Sequence, residues 1–169
     1  MNAPILDLNA CVRLADDWRR QGLTIVFTNG HFDLLHAGHV NYLQAARALG
    51  DRLIVGLNSD ASTRRRKGPA RPIYPQTERA RLLAALRAVD AVLLWDADDF
   101  RDAVAALKPD IYVKGADWNQ AGGPKPPEAE IVAGYGGRVA FIDLTPGRST
   151  SAIVQDILRR HGCQPEGGA

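Results

Sequence analysis

Several features are scarce or missing in this 169-residue chain, and each absence narrows the field. It has no large charge excess: 21 basic residues stand against 19 acidic ones, a formal net charge of +2. A general nucleic-acid binder carries a strong basic excess, so nucleic acid is not an expected partner. No apolar stretch approaches the length of a membrane span, so no membrane partner is expected. Only two cysteines occur, Cys11 and Cys163, near opposite ends of the chain. Their separation has no metal-ligand spacing, and they read as reduced thiols. The N-terminus lacks the basic-then-apolar order of a secretion leader, and Asp7 and Asp16-Asp17 do not suit one. The expected location is the cytoplasm. No internal repeat is visible.

What is present is an ordinary balance of 46% apolar and 24% charged residues, enough for a single domain with a full core. Residues 8–20 read as a helix with Cys11, Leu14, Ala15 and Trp18 on one face, so residues 1–22 form an N-terminal helical segment. From residue 23 onward, strand and helix signals alternate. Strands are expected at 23–28, 52–58, 91–95, 111–114 and 138–142. Helices are expected at 38–49, 76–89, 98–107, 128–135 and 149–161, with Asp98 as a cap. Residues 59–75 have no apolar period and read as a loop, as do residues 116–127, rich in Gly and Pro. The main domain is expected over 23–161, with a frayed tail at 162–169.

Near-continuous apolar strands alternating with helices predict an α/β fold. The expected form is a Rossmann-like, doubly wound sheet of about five parallel strands with helices on both faces. Such sheets bind ligands at the C-terminal ends of their strands. The segments falling there are 29–39, 58–71, 114–118 and 145–150, and they hold the clustered polar and basic residues.

Three of the four histidines lie within nine residues: His31, His36 and His39. His36 and His39 are three apart at the start of a helix and share a face. The helix dipole and free N–H groups already favour an anion there, and an imidazole donates to a phosphate oxygen. Gly38 between them lets a phosphate approach the backbone. Thr28 and Asn29 can offer donors from the strand end, and Asn29-Gly30 is a turn signal. Phe32 reads as core more readily than as a substrate platform. Asp33 either orients a histidine or caps the turn. The run Arg64-Arg65-Arg66-Lys67-Gly68, with Arg71 beyond, is either solvated charge or a mobile loop closing over anions, with Lys67 and Arg71 the foremost candidates. Lys114 suits a phosphate, Asp117 a sugar hydroxyl or a metal, and Trp118 a base or sugar face. Each also has a plain packing role. Gly147-Arg148-Ser149-Thr150-Ser151 precedes the last helix. Ser149 reads as its N-cap, and the same hydroxyls would make a second anion site.

The stretch Gly30-His31-Phe32-Asp33-Leu34-Leu35-His36-Ala37-Gly38-His39 resembles the signature of the HxGH, cytidylyltransferase-like nucleotidyltransferases. Further pieces are similar to the adenylyltransferases of bacterial heptose activation. They are Thr28-Asn29-Gly30, the run Val55 to Asp60, Lys67-Gly68 with Arg71-Pro72, Glu78-Arg79, Val113 to Asp117, Glu128-Ala129-Glu130 with Gly136-Gly137, and Gly147 to Ser151. The resemblance implies transfer of AMP from ATP, with Mg²⁺, to D-glycero-β-D-manno-heptose 1-phosphate, giving ADP-heptose and pyrophosphate for lipopolysaccharide or another surface glycan. It implies catalytic roles for His36, His39, Lys67 and Lys114. Nucleotide or phosphate contacts would come from Thr28, Asn29, Gly30, Phe32, Gly38, Gly115, Asp117, Gly147, Ser149 and Thr150. Sugar-phosphate contacts would come from Asp33, Asn58, Asp60 and Arg71. No protein metal site is implied, since the nucleotide phosphates would carry most of the Mg²⁺. A separate sugar kinase and a phosphatase would stand upstream, and similar proteins often form homodimers. The alternative within the same class is a cytidylyltransferase acting on glycerol 3-phosphate or a similar alcohol phosphate.

Overall fold

In the computed structural model, which describes residues 2–119 and 125–162, one parallel sheet carries six strands in the order β1-β4-β3-β2-β5-β6. They are β1 (Ile5–Leu6), β2 (Ile25–Gly30), β3 (Arg52–Asn58), β4 (Ala91–Trp95), β5 (Ile111–Gly115) and β6 (Arg138–Ile142). The helices are α1 (Leu8–Arg20), α2 (Ala37–Arg47), α3 (Asp60–Lys67), α4 (Gln76–Ala84), α5 (Arg101–Leu107), α6 (Ala129–Gly134) and α7 (Thr150–Arg160), with a 3₁₀ turn at Ala116–Asn119. The doubly wound α/β expectation holds, with one strand more. That strand is β1, whose two residues pair with Val92 and Leu93 at the edge of the sheet. Two residues are too few to show a period, so the sequence does not announce it.

Alternation along the strands divides the core into two layers. Ile25 and Phe27 of β2 and Ile54 of β3 face Cys11, Ala15, Phe100, Val104 and Val132, on the side of α1, α5 and α6. Val26, Leu53 and Val55 face Leu43, Ala46, Ala80 and Leu83, on the side of α2 and α4. Both faces are therefore covered, which is why the strands read as continuous apolar runs.

Two sequence expectations need correction. Residues 59–75 are not all loop, because Asp60–Lys67 is helical. The Ser59 hydroxyl caps α3 by accepting from Ser62 N at 3.0 Å. Arg64, Arg65, Arg66 and Lys67 occupy its last turn, where cations suit the helix dipole. The buried positions of α3 are Ser62 and Thr63, so it has no apolar stripe to read. Second, Asp98 does not cap α5. That helix starts at Arg101 with Phe100 in the cap position, and Asp98 instead pairs with Arg65 at 2.6 Å. Residues 163–169, including Cys163, lie outside the described residues.

Candidate active site

From β2 the chain passes through α2 to β3 and then β4 on one side; β5 returns to the other flank of β2 and leads on to β6. The sheet's direction of winding therefore switches between β2 and β5, which pair at Thr28 and Val113. The crevice outside their carboxyl ends is where an open α/β sheet holds its ligand. Three adjoining cavities occupy it. The first, about 290 Å³, is lined among others by Asn29, Gly30, His36, Gly38, His39, Lys114, Gly115, Asp117, Ser149 and Thr150. The second, about 370 Å³, includes Asp33, Thr63, Lys67, Arg71 and Thr150. The third, about 200 Å³, includes Asn58, Lys67, Lys114, Trp118 and Glu128. His31 borders all three.

The two signature rings stack on each other, with centroids 3.8 Å apart and planes 23° apart. The Phe32 ring leans on His39 at 5.3 Å. His36 occupies the N-cap position of α2 yet makes no side-chain cap bond. Nδ1 of each ring is buried and makes no hydrogen bond of normal geometry within the protein. Burial, then the neighbouring His36, lowers His39 to about 4, against a smaller upward pull from the Leu34 carbonyl. Burial and then Arg148 also lower His36. His39 is therefore neutral at neutral pH, a directional hydrogen-bonding group rather than a fixed cation. Gly38 sits in tight packing. A Cβ there would lie 3.0 Å from the His36 ring and 3.3 Å from Arg148 Cβ.

The turn that delivers these rings is strained and tightly held. Phe32 has φ of +44°, a left-handed conformation that costs a bulky residue roughly 1–2 kcal/mol. Such geometry persists where its surroundings over-determine it. Arg79, fully buried, donates from Nη1 to the His31 carbonyl at 2.6 Å and the Asn58 carbonyl at 3.0 Å. Its Nε donates to the Tyr74 carbonyl at 2.9 Å, and its Nη2 pairs with Asp60 at 2.7 Å. Asp33 accepts from Ile73 N at 2.7 Å and Tyr74 N at 3.1 Å, and pairs with Arg71 at 2.8 Å. Asp33 takes neither of the two expected roles: it bonds no histidine and no N–H of its own turn, and ties that turn to the 71–74 segment. Asp33 and Arg71 border the second cavity, whereas Asp60 lines none of the three.

Lys114 is 9% exposed. Its Nζ lies 5.5 Å from the Tyr112 ring and 5.2 Å from the Trp118 ring. Burial lowers its pKa below the usual lysine range, while Glu128 pulls it back up. Lys67 ends α3 and borders the second and third cavities. His31 Nδ1 bonds Thr63 Oγ1 at 3.0 Å, and burial followed by Lys67 lowers the ring to about 4. Asn29 Oδ1 accepts from the Tyr112 hydroxyl at 2.7 Å, which leaves its amide as the available donor. Thr28 is fully buried and lines none of the three cavities, so the expected phosphate contact from it is not brought to the site; its Oγ1 donates to the Val113 carbonyl at 2.9 Å. Gly115 admits the Asp117 carboxylate, which a Cβ would overlap. Gly147, at φ of +70°, turns the chain into Ser149, which caps α7 by accepting from Ala152 N at 3.1 Å. Sequence reasoning gave no role to Glu128, Tyr42 or Arg148, which also border these cavities. Among the described residues no group of three or more His, Cys, Asp or Glu could hold a metal ion.

This constellation can grip a polyphosphate between the α2 and α7 N-termini, with a second phosphate within reach of Lys67 and Lys114. The chain is 49% identical over 158 residues to "Bifunctional protein HldE" of Methylobacillus flagellatus, covering 90% of this chain and 31% of that protein. It is 53% identical over 147 residues to the protein of the same name in Syntrophotalea carbinolica, covering 85% and 29%. The chain thus spans about a third of the length of these curated relatives. Among solved structures, the lipopolysaccharide core biosynthesis protein from Thermoplasma volcanium GSS1 matches with a TM-score of 0.58 and 33% identity, over 73% of this chain and 98% of that one. The cytidylyltransferase-like family model matches residues 27–141, which run from β2 through the paired histidines and Lys114 to β6, and the chain belongs to that family.

Proposed function

We propose that this chain is an adenylyltransferase that moves AMP from ATP to D-glycero-β-D-manno-heptose 1-phosphate, releasing pyrophosphate and giving ADP-heptose. The observation that carries the reading is the stacked His36–His39 pair beside Lys114, at the crevice where β2 and β5 part. The motif resemblance to heptose-activating adenylyltransferases and the lipopolysaccharide title of the structural neighbour favour the heptose acceptor.

The acceptor phosphate is ionised at neutral pH and needs no general base. One of its oxygens attacks the α-phosphorus of ATP, a new P–O bond forms, and the bond to the β-phosphate oxygen breaks with its electron pair leaving on pyrophosphate. Catalysis is then positioning and charge stabilisation. His36 and His39 donate to the α- and β-phosphate oxygens. Lys114 and Lys67 offset the repulsion between the two anions. Ser149 and Thr150, with the free N–H groups of α7, hold the departing pyrophosphate. Mg²⁺ arriving with the nucleotide would neutralise phosphate oxygens and be carried mainly by them, with the Asp117 carboxylate bordering the same cavity. A separate kinase and phosphatase upstream, action in the cytoplasm and a homodimer complete the reading. For the dimer, α7 has no buried residue and leaves Ile157 half exposed.

The test is a matrix of nucleoside triphosphates against sugar 1-phosphates and glycerol 3-phosphate, read by pyrophosphate release. ATP with heptose 1-phosphate should turn over best. Turnover with CTP and glycerol 3-phosphate instead would replace this reading by the cytidylyltransferase one.

A further inference from the structure

Glu128 stands out in the third cavity. It precedes α6, is 2% exposed, and lies where a charged side chain needs a full set of partners. Its Oε1 accepts from Phe100 N, the residue just before α5, at 3.0 Å. Its Oε2 is buried and makes no hydrogen bond of normal geometry; the neighbouring Tyr112 hydroxyl gives its hydrogen to Asn29 instead. A buried polar atom left without a partner in a native fold calls for an explanation, and here the carboxylate borders a cavity of about 200 Å³.

That cavity is chemically lopsided. Lys67, Lys114 and Arg66 border it as cations, and Asn58 and Trp118 as a neutral amide and an aromatic face. Its other carboxylates are engaged, Asp98 with Arg65 at 2.6 Å and Asp99 with Arg101 at 2.8 Å. An ionised carboxylate oxygen only accepts. An anion is repelled by it, and a cationic ligand is repelled by the lysines. A neutral donor meets both conditions, and a hydroxyl on a molecule whose phosphate lies against Lys67 and Lys114 is one. His31, Lys114 and Trp118 also border the nucleotide cavity, so such a molecule would be in contact with the α-phosphate.

We propose that Glu128 Oε2 accepts a hydrogen bond from a ring hydroxyl of the acceptor sugar, which makes the third cavity the sugar pocket and Glu128 its specificity-determining residue. This rests on the adenylyltransferase reading above. It moves recognition of the sugar away from Asp33 and Arg71, whose charges already serve each other, to the opposite side of Lys67.

The test uses Glu128→Gln in the full chain. Glutamine keeps an acceptor for Phe100 N–H and turns the other position into a donor. Initial rates are measured by pyrophosphate release with heptose 1-phosphate and its monodeoxy analogues. The variant should lose about 10- to 100-fold in kcat/KM for the parent acceptor, the cost of one charged hydrogen bond, with KM for ATP unchanged. One monodeoxy analogue should be as poor for the native protein, and the variant should lose nothing further with it. If Glu128→Gln proves unable to fold, Glu128→Asp is put through the same series. Equal losses with every analogue, or an unchanged KM and kcat for the parent, overturn the role of Glu128 while leaving the adenylyltransferase reading intact. No turnover by the native protein with any sugar 1-phosphate overturns that reading, and the sugar pocket with it.

Discussion

His39 is uncharged at neutral pH. Packed under Phe32 and against His36, its ring sits near pKa 4 in the folded chain, compared with 6.5 for a free imidazole. A neutral ring aims one N–H donor, and losing such an oriented donor lowers turnover by ~10²–10³-fold. His39→Ala should show that loss in kcat under saturating substrates, and full turnover would remove His39 from the mechanism. The same depression makes stability depend on pH. Between about 6.5 and about 4 the unfolded chain binds a proton that the folded ring does not. Stability is therefore complete above pH 6.5 and declines as the pH falls through this window. His31, also lowered to about 4, acts in the same direction. Urea midpoints at pH 7 and pH 4.5 should separate less for His39→Gln than for the native protein. An equal separation would mean that the buried ring contributes nothing to acid sensitivity.

At the scale of elements, the two helix N-termini facing the crevice differ in how they are capped. The α2 start has His36 in the cap position with no side-chain bond, whereas α7 is capped by the Ser149 hydroxyl. Ser149 thus caps the helix and borders the cavity, and Thr150 only borders the cavity; the proposed mechanism gives both a phosphate contact. Ser149→Ala should cost about 1 kcal/mol of stability, the usual value of a cap, while Thr150→Ala should leave stability alone. Together they should weaken ATP binding more than sugar-phosphate binding in calorimetric titration, and the reverse order would detach α7 from the pyrophosphate. The Ser149 cap was legible because hydroxyl, cap and helix are adjacent in sequence. The α5 start was not. Its first N–H, on Arg101, goes to Asp99 at 3.1 Å, and the N–H of its cap residue Phe100 goes to Glu128, 28 residues away in sequence, so the local candidate Asp98 looked right and was not used. Helix α3 was hidden for another reason. Its buried face is made of Ser62 and Thr63, held by the Ala97 carbonyl and His31, and hydropathy has no term for a helix docked through hydroxyls.

Taken whole, the molecule was legible wherever apolar side chains repeat. The parallel strands from β2 onward, the helices on both faces and the crevice at their carboxyl ends all follow from that pattern. The sugar-side cavity was hidden because Glu128 meets it only after the α5–α6 layer has packed. That layer depends on close approach at one point. Gly56 lies in β3 between Asn29 of β2 and Leu93 of β4. A Cβ there would overlap the Phe100 ring and come within 2.8 Å of Phe27 Cζ. Those two rings already meet at 5.9 Å between centroids, and both are fully buried. The same Phe100 carries the N–H that Glu128 accepts, so pressure at Gly56 falls on the seat of the third cavity. Overpacking of this kind costs about 1–3 kcal/mol. Gly56→Ala should lower the unfolding free energy by that amount, read from urea denaturation at pH 7 with an unchanged slope. A midpoint equal to the native one would mean that α5 can slide off the sheet without penalty, and the rigid seat assigned to Glu128 would lose its support.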